Sequence, residues 1–185
     1  MNIPNFLSLI RIILVPVFVI FLIQGEYYNA LIIFVIAGLT DILDGTMARL
    51  LSAQTKLGSY LDPIADKLLL ATSFVTLAIL GIIPGWLTVI VISRDFIIIL
   101  GIAILSLMSV PFEIKPALIS KATTALQLGT IFFALLHKAV THGLSNNWIL
   151  ALFWLTALFT IASGLVYISR GIKIINRTNT KEIEK

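Results

Sequence analysis

Apolar residues fill this chain in long runs, and polar residues collect in the short breaks between them. Six runs stand out: Phe6–Ile23, Tyr28–Leu51, Leu61–Leu80, Trp86–Met108, Ala117–Ala139 and Asn147–Ile172. Each has the length of roughly 20 mostly apolar residues that a membrane-crossing helix needs. The breaks carry turn chemistry at Gln24-Gly25-Glu26, Ser52 to Leu57, Pro84-Gly85, Ser109 to Pro116 and His142 to Asn147. None of the runs alternates apolar and polar positions as the strands of a barrel would. Lipid leaves backbone groups to be satisfied internally, so runs of this kind fold as helices. The pattern predicts an all-α integral membrane protein, a bundle of six transmembrane helices preceded by a short N-terminal interfacial segment at Asn2-Ile3-Pro4-Asn5. Residues 1–172 form one domain, and 173–185 a short cytoplasmic tail of mixed charge expected to lie frayed over anionic headgroups.

Composition agrees with the pattern. Hydrophobic residues make up 59% of the 185 and charged residues 12%, whereas a soluble domain is about a quarter charged. Mean hydropathy is +1.07, and the excess runs the whole length, so this is no soluble domain on a single anchor. The opening apolar run follows no basic leader and is too long for a cleavable signal. With no cysteine, disulfides, thiolate metal sites and cysteine nucleophiles are excluded. The net charge of +4 forms no nucleic-acid patch, because the basic residues sit at the ends of apolar runs. Arg49, Lys56, Lys115, Lys121, Arg170, Lys173, Arg177, Lys181 and Lys185 fall on one side of a six-span topology and Lys138 on the other. That asymmetry puts both termini in the cytoplasm and the protein in the cell (inner) membrane as a multi-pass chain.

Acidic residues change the picture from membrane protein to candidate enzyme. Of nine in the chain, Asp41, Asp44, Asp62 and Asp66 lie at or near the cytoplasmic ends of two adjacent helices. Intramembrane carboxylates are expensive and mark function by default. Asp41 and Asp44 share one helical face, as do Asp62 and Asp66, and the short break between the two helices lets the faces meet. Four converging carboxylates repel one another, and hard divalent cations such as Mg²⁺ or Mn²⁺ relieve that repulsion. Gly45, Ala48 and Gly58 supply small surfaces for close approach of a ligand. Arg49 can fork onto phosphate oxygens, and a metal pair would neutralise a pyrophosphate. The acidic cluster alone also fits a proton or ion-coupling site of a transporter, although no internal repeat is visible and the cluster sits near one membrane face. A purely structural membrane subunit has no use for so many charges around one cavity.

The ordered string decides between these readings. Asp41-Ile-Leu-Asp44-Gly45-Thr-Met-Ala48-Arg49, eight residues, then Gly58-Ser-Tyr-Leu-Asp62-Pro-Ile-Ala-Asp66 resembles the signature D-x2-D-G-x2-A-R-x8-G-x3-D-x3-D of the CDP-alcohol phosphotransferase family. The resemblance implies transfer of a phosphatidyl group from CDP-diacylglycerol to an alcohol, with release of CMP. It implies two divalent metal ions on Asp41, Asp44, Asp62 and Asp66. CDP would be accommodated by Gly45, Ala48, Arg49 and Gly58, and Asp66 would take the proton of the acceptor hydroxyl. A homodimer is implied as well.

Within the family, Leu61-Asp62-Pro63-Ile64-Ala65-Asp66-Lys67 and the opening Asn2-Ile3-Pro4-Asn5 with Ser8 and Arg11 resemble the branches that make phosphatidylglycerophosphate and cardiolipin. The acceptor site is expected around Arg94, Lys121, Thr124 and Gln127, with Arg11 facing the polar cavity. Arg94 lies deep in an apolar run, where it is either a clamp on acceptor phosphate or a structural partner of a carboxylate such as Asp95. Arg11 has the same two readings, and Thr124 and Gln127 can equally join helices. Typical bacterial phosphatidylglycerophosphate synthases resemble a pattern with two further cations, where this chain has Ile102 and Thr123. A phosphodiester carries less charge than a phosphate monoester and needs fewer cations. Ile92-Ser93-Arg94-Asp95, Ala37 to Asp41 and Thr156 to Thr160 also resemble the eukaryotic-type cardiolipin synthases. The expected acceptor is therefore phosphatidylglycerol, with glycerol-3-phosphate as the alternative. His137 and His142 lie near the outer loop, far from the aspartates, and read as interfacial residues.

Overall fold

The computed structural model describes residues 3–50, 58–107, 118–140 and 146–183, with side chains described over 9–40, 64–105, 107, 118–140 and 147–174. Six helices make up the described residues: α1 (Ile3–Ile23), α2 (Tyr27–Leu50), α3 (Gly58–Ile79), α4 (Gly85–Leu107), α5 (Leu118–Ala139) and α6 (Asn146–Ile183). They match the six apolar runs, with three differences. α1 begins at Ile3, so Ile3-Pro4-Asn5 are its first turn and not a separate interfacial segment. α3 begins at Gly58, which makes the second signature element helical from its first residue. α6 does not fray at the end of its apolar run but continues to Ile183. Extending an existing helix adds one hydrogen bond per residue fixed, without a new nucleation step.

Two helix ends are set by glycine. After α1, Gly25 takes φ +77°, Gly25 N donates to Leu22 O at 3.1 Å and Glu26 N to Phe21 O at 2.9 Å. After α3, Gly81 takes φ +68°, Gly81 N donates to Ala78 O at 3.0 Å and Ile82 N to Leu77 O at 2.9 Å. Both are Schellman closures, which need a left-handed residue and satisfy carbonyls that the helix leaves open.

Helix α1 packs against α2 and α3, α3 against α4, α4 against α6, α6 against α5, and α5 against α2 and α3. The neighbours therefore close a ring, α1–α2–α5–α6–α4–α3. The core fills the half of this ring nearer the Gly25 and Gly81 turns. Phe18 and Leu22 of α1, Phe34 of α2, Phe74 and Leu77 of α3, Leu87 of α4, and Ile131 and Leu135 of α5 are buried there. Phe18 and Phe34 pack with ring centroids 5.9 Å apart, and Thr88 of α4 donates to the Phe74 carbonyl at 3.1 Å.

The outside of the ring is as apolar as the inside. Ile20, Val89, Phe96, Leu158 and Leu165 are all exposed, the reverse of a soluble bundle and the expectation for helices solvated by lipid. Gly85–Leu105, Leu118–Ala139 and Asn147–Ile174 are long and apolar enough to cross a membrane, and Leu9–Ile23 and Tyr27–Thr40 are shorter apolar stretches. At 1.5 Å per residue, a helix of that length reaches about 30 Å, the thickness of a hydrocarbon core. Trp86 at the start of α4 packs against Trp154, more than two turns into α6, with ring centroids 4.9 Å apart and tilted by 34°.

Candidate active site

Opposite the apolar core, the ring buries polar side chains. Arg11, eight residues into α1, is fully buried, and its guanidinium pairs with the carboxylate of Asp66 on α3. A buried guanidinium is costly unless it is paired and hydrogen-bonded, and the carboxylate supplies a pair. The pair sits at one end of a cavity of about 360 Å³ bounded by α1, α2, α3 and α5. Arg11, Asp66 and Thr124 are its polar lining, and Phe34, Leu39, Leu69, Leu128 and Phe132 are among the apolar residues that form the rest. Gly38 of α2 and Gly129 of α5 also line it, and a Cβ added at either meets no other atom within 4 Å. A carboxylate that opens onto an apolar cavity in a membrane-like bundle suits chemistry on a molecule with a polar head and a greasy tail.

A second polar group surrounds Arg94 on α4, which is 7% exposed. Its Nη1 donates to Asp95 Oδ1 at 2.5 Å, and its Nη2 to Ser120 Oγ on α5 at 2.6 Å and Ser163 Oγ on α6 at 3.0 Å. The arginine stem lies against α6 at Gly164, where an added Cβ would be in ordinary contact at 3.7 Å from Arg94 Cγ, and the guanidinium carbon stands 5.9 Å from the Tyr167 ring centroid. Asp95 also reaches back to α3, with Oδ2 3.4 Å from Lys67 Nζ. Of the two readings open for Arg94, the ion pair with Asp95 is present. Among the described residues, Arg94 Nε has no hydrogen-bond partner.

A seam of hydroxyls joins α5 to α6 beside this group. Thr123 donates to the Phe159 carbonyl at 3.0 Å, Gln127 Nε2 to Thr160 Oγ1 at 3.3 Å, and Thr130 and Thr156 share a bond of 2.7 Å. Between apolar helices in lipid, such bonds take the place of hydrophobic association, and each contributes about 0.6 kcal/mol on average. Thr130→Val and Thr156→Val should each lower stability in detergent. A double-mutant cycle on their unfolding should return a coupling of about 0.6 kcal/mol; additive losses would remove the pair as a helix fastener.

The structure thus gathers Arg11, Asp66 and Thr124 around one cavity. Gln127, 1% exposed, is committed to the seam, and Lys121 is exposed on α5 near Ser120. Neither Gln127, Lys121 nor Arg94 lines the cavity. The α2 backbone puts positions 41 and 44 on one helical face, and the α3 backbone does the same for 62 and 66. An all-carboxylate set at these spacings fits hard divalent cations such as Mg²⁺. The side chains of Asp41, Asp44, Gly45, Ala48, Arg49, Gly58 and Asp62 lie outside the described residues, as does His142. His137 lies near the C-terminal end of α5, away from Asp66, beside a separate cleft with Pro84 and Phe153. Sequence reasoning did not single out Lys67, Ser120 or Ser163. The one available signal for Ser163 was its place on the helical face already marked by Thr156 and Thr160.

Residues 1–162 match the family profile described as CDP-alcohol phosphatidyltransferase. The chain is 33% identical to a probable cardiolipin synthase (CMP-forming) of Drosophila melanogaster, across 99% of this chain and 60% of the relative. It is 36% identical to the cardiolipin synthase (CMP-forming) of Homo sapiens, across 94% of this chain and 63% of the relative. It is 29% identical to the CDP-diacylglycerol–glycerol-3-phosphate 3-phosphatidyltransferase of Bacillus subtilis, across 96% of this chain and 99% of the relative. The chain therefore spans less than two thirds of the length of the two animal relatives and nearly all of the bacterial one.

Proposed function

The chain belongs to the CDP-alcohol phosphatidyltransferase family, and from that premise we propose that it is an integral membrane enzyme of anionic phospholipid synthesis. It transfers a phosphatidyl group from CDP-diacylglycerol to a glycerol-type alcohol and releases CMP. The observation that carries this reading is the position of Asp66, the last signature carboxylate, at the polar end of an apolar cavity. All six helices span the cell membrane in this reading, both termini are cytoplasmic, and two copies associate as a homodimer.

The roles follow from chemistry. Two divalent cations, Mg²⁺ or Mn²⁺, held by Asp41, Asp44, Asp62 and Asp66, would neutralise the pyrophosphate and make the acceptor hydroxyl more acidic. Gly45, Ala48 and Gly58 leave room for CDP, and Arg49 holds its phosphate oxygens. Asp66 accepts the proton from the acceptor hydroxyl. The acceptor oxygen bonds to the lipid-side phosphorus, and the bond from that phosphorus to the oxygen of CMP breaks. Arg11 fixes the Asp66 carboxylate, and Thr124 and Lys121 bind the acceptor. Gln127 and Arg94 support that surface from behind, Gln127 through Thr160 and Arg94 through Ser120 and Ser163.

Phosphatidylglycerol is the preferred acceptor, which would make the product cardiolipin. The cavity around Asp66 has Arg11 as its only lining cation among the described residues, and Arg11 is committed to Asp66. A phosphate monoester at about −1.5 to −2 charge asks for more. Glycerol-3-phosphate is the second reading, favoured by the similarity to the Bacillus subtilis protein along almost its entire length. Purified protein offered both acceptors together with CDP-diacylglycerol and Mg²⁺ should yield cardiolipin. Phosphatidylglycerophosphate as the sole product would reverse the assignment.

A further inference from the structure

Asp66 and Lys67 are consecutive on α3 and are held by the two helices that flank it in the ring. Asp66 pairs with Arg11 of α1. Lys67 Nζ lies 3.4 Å from Asp95 Oδ2 of α4. Neighbouring positions on a helix point about 100° apart, so one turn of α3 is braced between two other helices. The far end of the second brace is fixed as well. The other oxygen of Asp95 accepts from Arg94 at 2.5 Å, and Arg94 is bound to Ser120 of α5 and Ser163 of α6 at 2.6 and 3.0 Å. The chain Lys67–Asp95–Arg94–Ser120/Ser163 therefore ties α3 to α4, α5 and α6 in one polar line.

From this line we infer that Asp95 is a positioning residue, which by bridging Lys67 to the anchored Arg94 sets the distance between Asp66 and the acceptor-side surface of α5. The inference rests on the role of Asp66 proposed above. Its two bonds differ in character. The Arg94–Asp95 pair is largely buried, with side chains 8% and 22% exposed, whereas the Lys67 side chain is 42% exposed. A lysine that open contributes little stability through its ion pair. What the contact supplies is register: it holds α3 against α4 one residue from the group that must meet the acceptor hydroxyl. A displacement of about 1 Å between reacting groups can lower a rate by about 10²-fold, so a loosened brace acts on turnover before it acts on folding.

Lys67→Met is the first test, because it frees α3 and leaves the buried Arg94–Asp95 pair in place. In the purified full-length protein, CMP release should fall about tenfold in kcat, with KM for donor and acceptor within about twofold and the melting temperature unchanged. Lys67→Arg should retain most of the rate. Asp95→Asn should match the loss of Lys67→Met, and the double variant should be no slower than the slower single variant. Wild-type kcat in Lys67→Met, or losses that multiply in the double variant, would overturn the positioning role while leaving the transferase reading intact. A raised donor KM in Lys67→Met with Asp95→Asn unaffected would overturn it too, and make Lys67 a substrate contact. A wild-type protein that releases no CMP with either acceptor would remove the transferase reading and this inference together.

Discussion

Asp66→Asn should reduce acceptor-dependent CMP release by about 10³-fold or more, while the protein still purifies as a folded bundle. General base catalysis contributes about 10² to 10⁴-fold by itself, and the same carboxylate is expected to hold metal, so the two losses combine. Folding should survive because asparagine keeps the shape of the side chain, and its amide oxygen can still accept a hydrogen bond from the buried Arg11. Leucine would offer that guanidinium no acceptor in place of the carboxylate, at the cost of an unmade buried hydrogen bond. The fold should therefore tolerate Asp66→Asn far better than Asp66→Leu. Turnover in Asp66→Asn within tenfold of the wild type would remove Asp66 as the base.

Metal removal should have an effect of comparable size. With EDTA, CMP release should fall by about two to four orders of magnitude, the loss expected when several kcal/mol of charge stabilisation disappear. Mg²⁺ or Mn²⁺ added back should restore it, since both accept an all-oxygen ligand set at a small radius. The helix ring should stay folded on its core of Phe18, Phe34, Phe74 and Leu135 but melt at a lower temperature in EDTA, recovering with the metal, because ions held only by the folded state stabilise it. Undiminished turnover in EDTA would exclude the metal-assisted mechanism.

The helices were legible because hydropathy reports transfer into lipid directly, and among the described residues Gly85–Leu105, Leu118–Ala139 and Asn147–Ile174 are long and apolar enough to cross. The runs placed the end of α3 and the start of α4 within a residue, at Leu80 against Ile79 and Trp86 against Gly85. What the pattern did not show was the closure on Gly81, because Leu80-Gly81-Ile82-Ile83 is apolar throughout. Residues 173–183 failed in the opposite way. Their polar composition reads as a tail, but the span before them supplies the nucleus and the helix runs on.

The candidate site divides along the same line between local and distant information. Aspartates at helical spacing are a local pattern, so Asp41, Asp44, Asp62 and Asp66 stand out as candidates from the sequence alone. Arg94 could not be assigned, because two of its partners, Ser120 and Ser163, are 26 and 69 positions away. Arg11 was similarly open until α1 and α3 came together and joined it to Asp66, 55 positions on. Buried arginines announce that a partner exists, but only the packing of the ring says which one.

The most direct test of the whole account follows one reaction to mass balance. Purified protein in mixed micelles with Mg²⁺, CDP-diacylglycerol and phosphatidylglycerol should release one CMP for each new phosphodiester lipid formed, and none when the alcohol is left out. CDP-diacylglycerol recovered intact, with every glycerol-type acceptor supplied and metal present, would contradict it.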